Sequence, residues 1–433
     1  MVDDYLGKHV IYAAMHNSRA VRGKGLCHPS TRTKAQEIVM RWADGNPQMP
    51  VMWLSGAAGA GKSAIMRTMA ERLEKEKRLL ATFFCDSKER SDITPIIPTL
   101  VQQIAIRTPA AAAGILAAFK ADVGLLSKCM DIQAKHLIVA SLDAIYDADH
   151  PSPNIIILDG LDEIAEVREQ QELLKTIASI LDQIKFPIRF LVASRPEIQI
   201  QNVFKTGMNA LWTPLPLDMS LKPNEDIDKF YVAKFRHIRD VHPQFNLALD
   251  WPGPEVRRHL VGKGSGQWIF PAVVVDVVGD PDETNTLTPQ ERLDLFLGLT
   301  MRHDLRLLDQ IDLLYASVFD RIPPTEREDV LMLISLIITP DSTFDTFDRL
   351  DYLFCSPSGT TRQKLRRLHS VLLFPEDDFD PIQPLHATLG EFISNKNRSE
   401  RFHCHLDQRA YRSNSVILIA KCLLTSGADR DGG

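Results

Sequence analysis

The sequence predicts an α/β protein: a parallel sheet with helices on both faces, followed by a small helical domain and a domain of winged-helix outline. Three observations predict it. Up to about residue 218, short apolar runs alternate with amphipathic helical patterns, the mark of a parallel sheet joined by crossover helices. From 219 to 305 the strand-like runs stop, and clusters of Pro and Gly separate short helical patterns. Beyond 306 a helical pattern leads to two short apolar runs on either side of an acidic turn, which reads as a helix followed by a hairpin.

The first domain places strands at 51–55, 81–85, 154–159, 189–194 and 210–217. Between the third and fourth, Leu173, Leu174, Ile177, Ile180, Leu181 and Ile184 recur at helical spacing, giving a strand–helix–strand crossover. In the helical domain Ile227, Tyr231, Phe235 and Ile238 share one face. The last domain opens with a helix marked by Leu308, Ile311, Leu314, Tyr315, Val318 and Ile322. It continues with a helix over 362–369 and runs at 371–374 and 382–385 around the acidic turn 376–380. The expected division is an N-terminal extension 1–25, the sheet domain 26–218, the helical domain 219–305, the winged-helix domain 306–424 and a disordered polar tail 425–433.

Charge narrows the partners. The chain of 433 residues has 50 basic and 56 acidic side chains, a net −6 with no basic block. This gives no electrostatic reason to expect nucleic acid or an anionic membrane. The start, Met1 to Asp4, is acidic where a signal peptide needs basic residues. The longest apolar runs, 268–278 and 330–338, are broken by Asp276 and Ser335 and fall short of the roughly 20 residues a spanning helix needs. The six cysteines (27, 85, 129, 355, 404 and 422) form no C-x-x-C pair and read as reduced thiols of a cytoplasmic protein. His403-Cys404-His405 has adjacent donors and no second pair at ligand spacing, so it does not read as a metal site.

The chemistry lies at the strand ends. Gly56-Ala57-Ala58-Gly59-Ala60-Gly61-Lys62-Ser63 fits the P-loop pattern G-x-x-x-x-G-K-[ST], behind a buried strand and ahead of a helix that starts near Ala64 and carries Ile65, Met69 and Leu73 on one face. Glycines let the backbone curl so that N–H groups point at phosphate oxygens, and the helix start adds its positive dipole end. Lys62 is then the bridge between β- and γ-phosphates, and the Ser63 hydroxyl a ligand of Mg²⁺. The alternative, a Gly/Ala-rich turn ahead of Lys-Ser, does not explain the strand and helix around it.

The third strand ends in Asp159-Gly160-Leu161-Asp162-Glu163. Ligands gather at the C-terminal ends of parallel strands, so Asp159 is the direct or indirect partner of Mg²⁺, and Asp162 or Glu163 would orient or deprotonate the attacking water. The fourth strand ends in Ala193-Ser194-Arg195-Pro196, which puts the Arg195 guanidinium on the same edge, in a position to contact the γ-phosphate. No N-K-x-D or T-K-x-D guanine-reading motif occurs, which favours ATP over GTP, and no L-S-G-G-Q signature of an ABC ATPase occurs.

Together the P-loop, the strand ending in DGLDE and the ASRPE segment resemble the NACHT-type signal-transduction ATPases of the STAND class. Within them the likeness is to fungal proteins with a nephrocystin-3-like N-terminal NTPase domain. Cys27-His28-Pro29-Ser30-Thr31-Arg32 resembles the family's C-x-P-G-T-R segment ahead of the P-loop, with Ser30 in place of Gly. The resemblance implies that Thr31 and Arg32 lie near the adenine. It extends to Pro271, matching a helical-domain proline that packs on the base, with a plain helix-start proline as the alternative. Leu385-His386-Ala387-Thr388-Leu389-Gly390-Glu391-Phe392 resembles the winged-helix signature H-x-S-F-x-(D/E)-F, with Thr388 for Ser and Leu389 for Phe. In the family that histidine touches the β-phosphate of ADP, which is the role implied for His386; a satisfied core histidine is the alternative.

What the resemblance implies is a molecular switch of ATP and ADP with Mg²⁺: slow hydrolysis, a closed state on ADP, self-association into a homo-oligomer when open, and an effector protein this sequence does not name. The family's role in fungal non-self recognition and innate immunity goes with it. Family members carry a signalling domain ahead and repeats behind; neither is legible here, which fits a short paralogue or a shortened chain equally. Two readings compete: a mechanical ATPase like the ring-forming AAA+ machines, and a scaffold that holds ADP without hydrolysis.

Overall fold

A computed structural model gives the fold and describes residues 2–22, 25–45, 48–85, 92–146, 154–208, 211–264, 266–279, 288–297, 312, 315–316, 318–320, 322–338, 344–368, 371–375, 377–384 and 388–404. The chain divides into two compact units, Met1–Gly56 with Gly61–Pro223, and Ala57–Ala60 with the described residues from Asn224 onward.

The first unit holds one five-stranded sheet in the order β2-β3-β4-β1-β5, with every neighbouring pair parallel. The strands are β1 (Val51–Ser55), β2 (Leu79–Phe84), β3 (Ile155–Asp159), β4 (Arg189–Ser194) and β5 (Trp212–Pro216). All five expected strands are present, β1 and β4 with the expected bounds. β2 starts earlier than expected, at Leu79, because it continues along Ile155 through a register shift between Leu79 and Ala81. β1, β3 and β4 are covered on both faces, which is why they read as unbroken apolar runs rather than alternating ones. β5 contains Pro214 and Pro216, tolerated because an edge strand pairs on one side only.

The two faces carry different helices. Met52, Leu54, Ile157 and Leu191 pack under the helices Thr33–Asp44 and Lys62–Lys75. Trp53, Ile156, Phe190 and Val192 face the opposite core, shared with the helices Ile96–Arg107, Val167–Gln183 and Ile198–Gly207. The outer edge of β2 is closed by a side chain. The Thr82 N–H donates to Gln103 Oε1 (3.0 Å), and Gln103 Nε2 donates to the Thr82 carbonyl (2.7 Å), so an amide takes the place of a further strand.

Residues 2–22, expected as an extension, are built into this unit. Leu6 and Ala14 are buried in its core and Tyr5 stacks on Phe119 with centroids 5.0 Å apart. The His16 N–H donates to Thr82 Oγ1 (3.0 Å), and His16 Nε2 meets Glu74 Oε2 (3.0 Å). Burial pulls the imidazole pKa below its usual value, against the raising effect of Glu74.

The second unit has one buried core running from Ile227 to Cys404. Its first helix, Pro223–Val241, is mostly within this unit and stacks Tyr231 on Phe235 with centroids 5.3 Å apart. The expected helix over 362–369 is a helix Thr360–Leu365 continued by a 3₁₀ turn Arg366–Leu368. Its start is shaped by Asp351, whose carboxylate accepts the N–H groups of Gly359 and Thr361, both at 2.7 Å. A two-stranded antiparallel hairpin follows, β6 (Leu372–Leu373) with β7 (Gln383–Pro384). Most of the helix expected from Leu308, and the tail 425–433, lie outside the described residues.

Cys27, Cys85, Cys129 and Cys404 form no disulfide, whereas Cys355 is disulfide-bonded. The expectation of reduced thiols therefore does not hold at Cys355. Among the described residues no helix is long and apolar enough to cross a membrane.

Candidate functional site

β1 ends at Ser55 and the chain turns through residues 56–61 into the helix Lys62–Lys75. Gly59 (φ +73°) and Gly61 (φ +86°) occupy the left-handed region, where a side chain would strain the turn. Ala57, Ala58 and Ala60 are buried. Gly61 is the helix N-cap and no side chain caps the first turn, in which Lys62, Ser63 and Ala64 lie partly exposed. An N-terminus so built offers backbone N–H groups to an anion. Lys62 Nζ donates to the Gly56 carbonyl at 2.7 Å. Burial pulls the ammonium pKa down from 10.5 to about 8; Asp162 pushes it back, and Arg195 adds to the fall.

Asp159 closes β3 and is 1 % exposed. It pairs in register with Ala193, and so shares the sheet face of Leu54 and the helix Lys62–Lys75. Ser55 pairs with Ser194, so β4 alone separates Asp159 from the P-loop, and two strand spacings put their backbones about 10 Å apart. Gly160 (φ +79°) then reverses the chain, its N–H donating to the Ala193 carbonyl (3.0 Å). The 3₁₀ turn Leu161–Glu163 follows, with Asp162 buried and Glu163 half-buried.

Arg195 sits one residue past β4. Asp162 Oδ1 accepts its backbone N–H (2.9 Å) and Asp162 Oδ2 faces its Nε (3.1 Å). Lys62, Asp159, Asp162, Glu163 and Arg195 form one electrostatic group, since the four others all act on the Lys62 ammonium.

The segment ahead of the sheet also reaches this helix. The Cys27 N–H donates to Thr68 Oγ1 (3.0 Å), a residue of Lys62–Lys75. Thr31 is buried and its hydroxyl donates to the His28 carbonyl (2.6 Å). Ser30 (φ +67°) and buried Arg32 (φ +56°) are both left-handed. Ser30 stands where the resembling segment has Gly, and the positive φ is the physical reason for that Gly. Two strained non-glycine residues within three positions mark a conformation that its surroundings enforce.

In the second unit, the Gly59 carbonyl accepts the N–H groups of Trp268 (2.9 Å) and Ile269 (3.2 Å). Pro271 is buried in the first turn of the helix Ile269–Val278 that begins there. His386 lies outside the described residues. Among the described residues no group of three or more His, Cys, Asp or Glu forms a ready metal cage.

One supporting contact was not anticipated. Trp53 Nε1, in the middle of β1, donates to Ser194 Oγ at 2.8 Å, both buried. The sequence held a signal for it: a Trp inside a buried strand needs an acceptor for its indole N–H.

The family described as Nephrocystin 3, N-terminal, matches residues 33–195, which is less than half of the chain. No curated protein matches. Among solved structures, the Walker-type ATPase paby2304 of Pyrococcus abyssi superposes with a TM-score of 0.52 at 14 % identity, over 83 % of this chain and 94 % of that one. The ORC of Drosophila bound to DNA gives 0.41 at 11 % identity, over 87 % and 97 % of the two chains. The ORC1 protein of Aeropyrum pernix in complex with DNA gives 0.38 at 13 %, over 86 % and 92 %. The last two are too distant to carry an argument. The parallel sheet with its flanking helices is the fold of the P-loop ATPases.

Proposed function

We propose that this chain is a P-loop nucleoside triphosphatase that binds ATP and ADP with Mg²⁺ and hydrolyses ATP slowly, as a nucleotide-dependent switch. The observation that carries it is the register of β1, β4 and β3. It sets the P-loop, Arg195 and the Asp159–Glu163 turn side by side on one sheet edge. The residues fit a magnesium triphosphate: an uncapped helix start, two left-handed glycines, a lysine in the first helical turn and a buried carboxylate on the helix-bearing face.

The backbone of Gly56, Ala57, Ala58, Gly59, Ala60, Gly61, Lys62, Ser63 and Ala64 would wrap the phosphates. Lys62 would exchange the Gly56 carbonyl for phosphate oxygens. Ser63 and Asp159 would hold Mg²⁺, whose charge, when bound, offsets that of the transferring phosphoryl group. Glu163, half-buried on the turn after β3, would orient and deprotonate the attacking water. Arg195 would meet the γ-phosphate. Thr31, Arg32 and Pro271 are proposed for the base side and His386 for the β-phosphate.

The switch rests on the resemblance to STAND ATPases: nucleotide acts through its differential affinity for closed and open states. Self-association of the open form, a protein effector and a cytoplasmic location belong to the same proposal. Nucleic acid does not. The chain's net charge of −6, with no basic block, gives no electrostatic reason to include it.

The test is to identify the nucleotide released on denaturing the purified protein, and to follow phosphate release under saturating ATP. Bound ADP with slow release, abolished in Glu163→Gln, is the expected result. Rapid multiple turnover would instead indicate a mechanical ATPase, and unchanged release in Glu163→Gln would leave a scaffold.

A further inference from the structure

On the turn after β3, Asp162 is engaged with Arg195. We propose that Asp162 is a positioning residue for Arg195, setting its guanidinium to read the γ-phosphate, and that it is not the base that activates water. The assignment rests on the triphosphatase reading above.

Both carboxylate oxygens of Asp162 go to the same residue, Oδ1 to the backbone N–H of Arg195 and Oδ2 to its Nε. One carboxylate therefore fixes Arg195 at two points, the main chain and the far end of its three-carbon stem. That removes most of the rotamer freedom an arginine has. The side-chain contact is made at Nε, 3.1 Å from Asp162 Oδ2.

Access separates the two acids. The Asp162 side chain is 3 % exposed and that of Arg195 11 %, whereas Glu163 is half-buried at the end of the same turn. A base must reach a water molecule within hydrogen-bond distance, and Glu163 has the opening for it. The location is right for a γ-phosphate reader, because Ser194, the residue before Arg195, pairs in register with Ser55, the residue before the P-loop.

The test titrates the full-length protein with fluorescent ADP and with a non-hydrolysable ATP analogue, both with Mg²⁺. Asp162→Ala and Arg195→Ala are each expected to lower the analogue-over-ADP affinity ratio about tenfold, the loss of one charge-assisted hydrogen bond, with ADP affinity changed less than about threefold. The double variant is expected to fall no further than either single one. Asp162→Asn, which keeps an acceptor for the Arg195 N–H, is measured beside them and gives the same comparison should the alanine variant not fold. Single-turnover hydrolysis in Asp162→Asn keeps the wild-type pH profile, which Glu163→Gln loses. The assignment is overturned if the Asp162 variants leave the ratio unchanged while Arg195→Ala lowers it, if the double variant loses the product of the two effects, or if Asp162→Asn loses the pH profile. Wild-type protein that binds neither nucleotide overturns the triphosphatase reading itself, and is told apart by needing no variant.

Discussion

The ammonium of Lys62 rests on the carbonyl of Gly56, the first residue of its own loop, at 2.7 Å. The loop thus supplies a neutral acceptor where the proposed function needs a polyphosphate, and burial leaves the lysine with a pKa of about 8 instead of 10.5. Phosphate oxygens would raise that value again. Between about pH 8 and 10.5, binding nucleotide should therefore take up a proton, and affinity should weaken as pH rises through 8. Calorimetry at pH 8.5 in buffers of different ionisation enthalpy measures the uptake. It should vanish in Lys62→Arg, whose guanidinium stays charged; uptake that persists there would place the proton on another group.

Gly160 holds the acidic turn in a conformation a side chain resists. At φ +79° an added Cβ would lie 3.3 Å from Cys85 Cβ and 3.4 Å from Glu163 Cδ. Gly160→Ala should cost about 1–3 kcal/mol in urea unfolding. It should also slow hydrolysis more than it weakens nucleotide binding, because it disturbs Glu163 and leaves the P-loop alone. Equal effects on both would mean that the turn does not position the base.

Ser194→Ala would strand the Trp53 indole N–H in the core, since Ser194 Oγ is its acceptor at 2.8 Å. The expected loss is about 1–3 kcal/mol. A double-mutant cycle with Trp53→Phe should give a coupling of at least about 0.5 kcal/mol. Strict additivity would show that the bond contributes nothing to stability.

Tyr231 offers the opposite case. Its ring is fully buried against Phe235, its hydroxyl has no hydrogen-bond partner among the described residues, and burial pushes its pKa up. Tyr231→Phe removes the polar atom and keeps the ring, so it should leave thermal stability unchanged or raise it by up to about 1 kcal/mol. A clear loss on melting would reveal a partner for the hydroxyl.

The sequence by itself determined the sheet and where its chemistry lies. Strands buried on both faces must be apolar throughout, so β1, β3 and β4 stood out, and each is followed at once by the residues it delivers: Gly56 to Ser63, Asp159 to Glu163, and Arg195. Strand order was not legible, because nothing local to β4 records that it lies between β1 and β3. Nor was the division of labour between Asp162 and Glu163. The two are adjacent in sequence and chemically alike; only the tertiary structure turns one inward onto Arg195 and leaves the other half-exposed. The same holds for the Gln103 amide that closes the edge of β2 and for residues 2–22, whose role depends on contacts far away in the chain. Periodicity and motif report what a segment needs, burial or a phosphate, because those needs are met within a few residues. Which partner meets a buried carboxylate or a bare strand edge is settled by long-range packing, and that is recorded only in three dimensions.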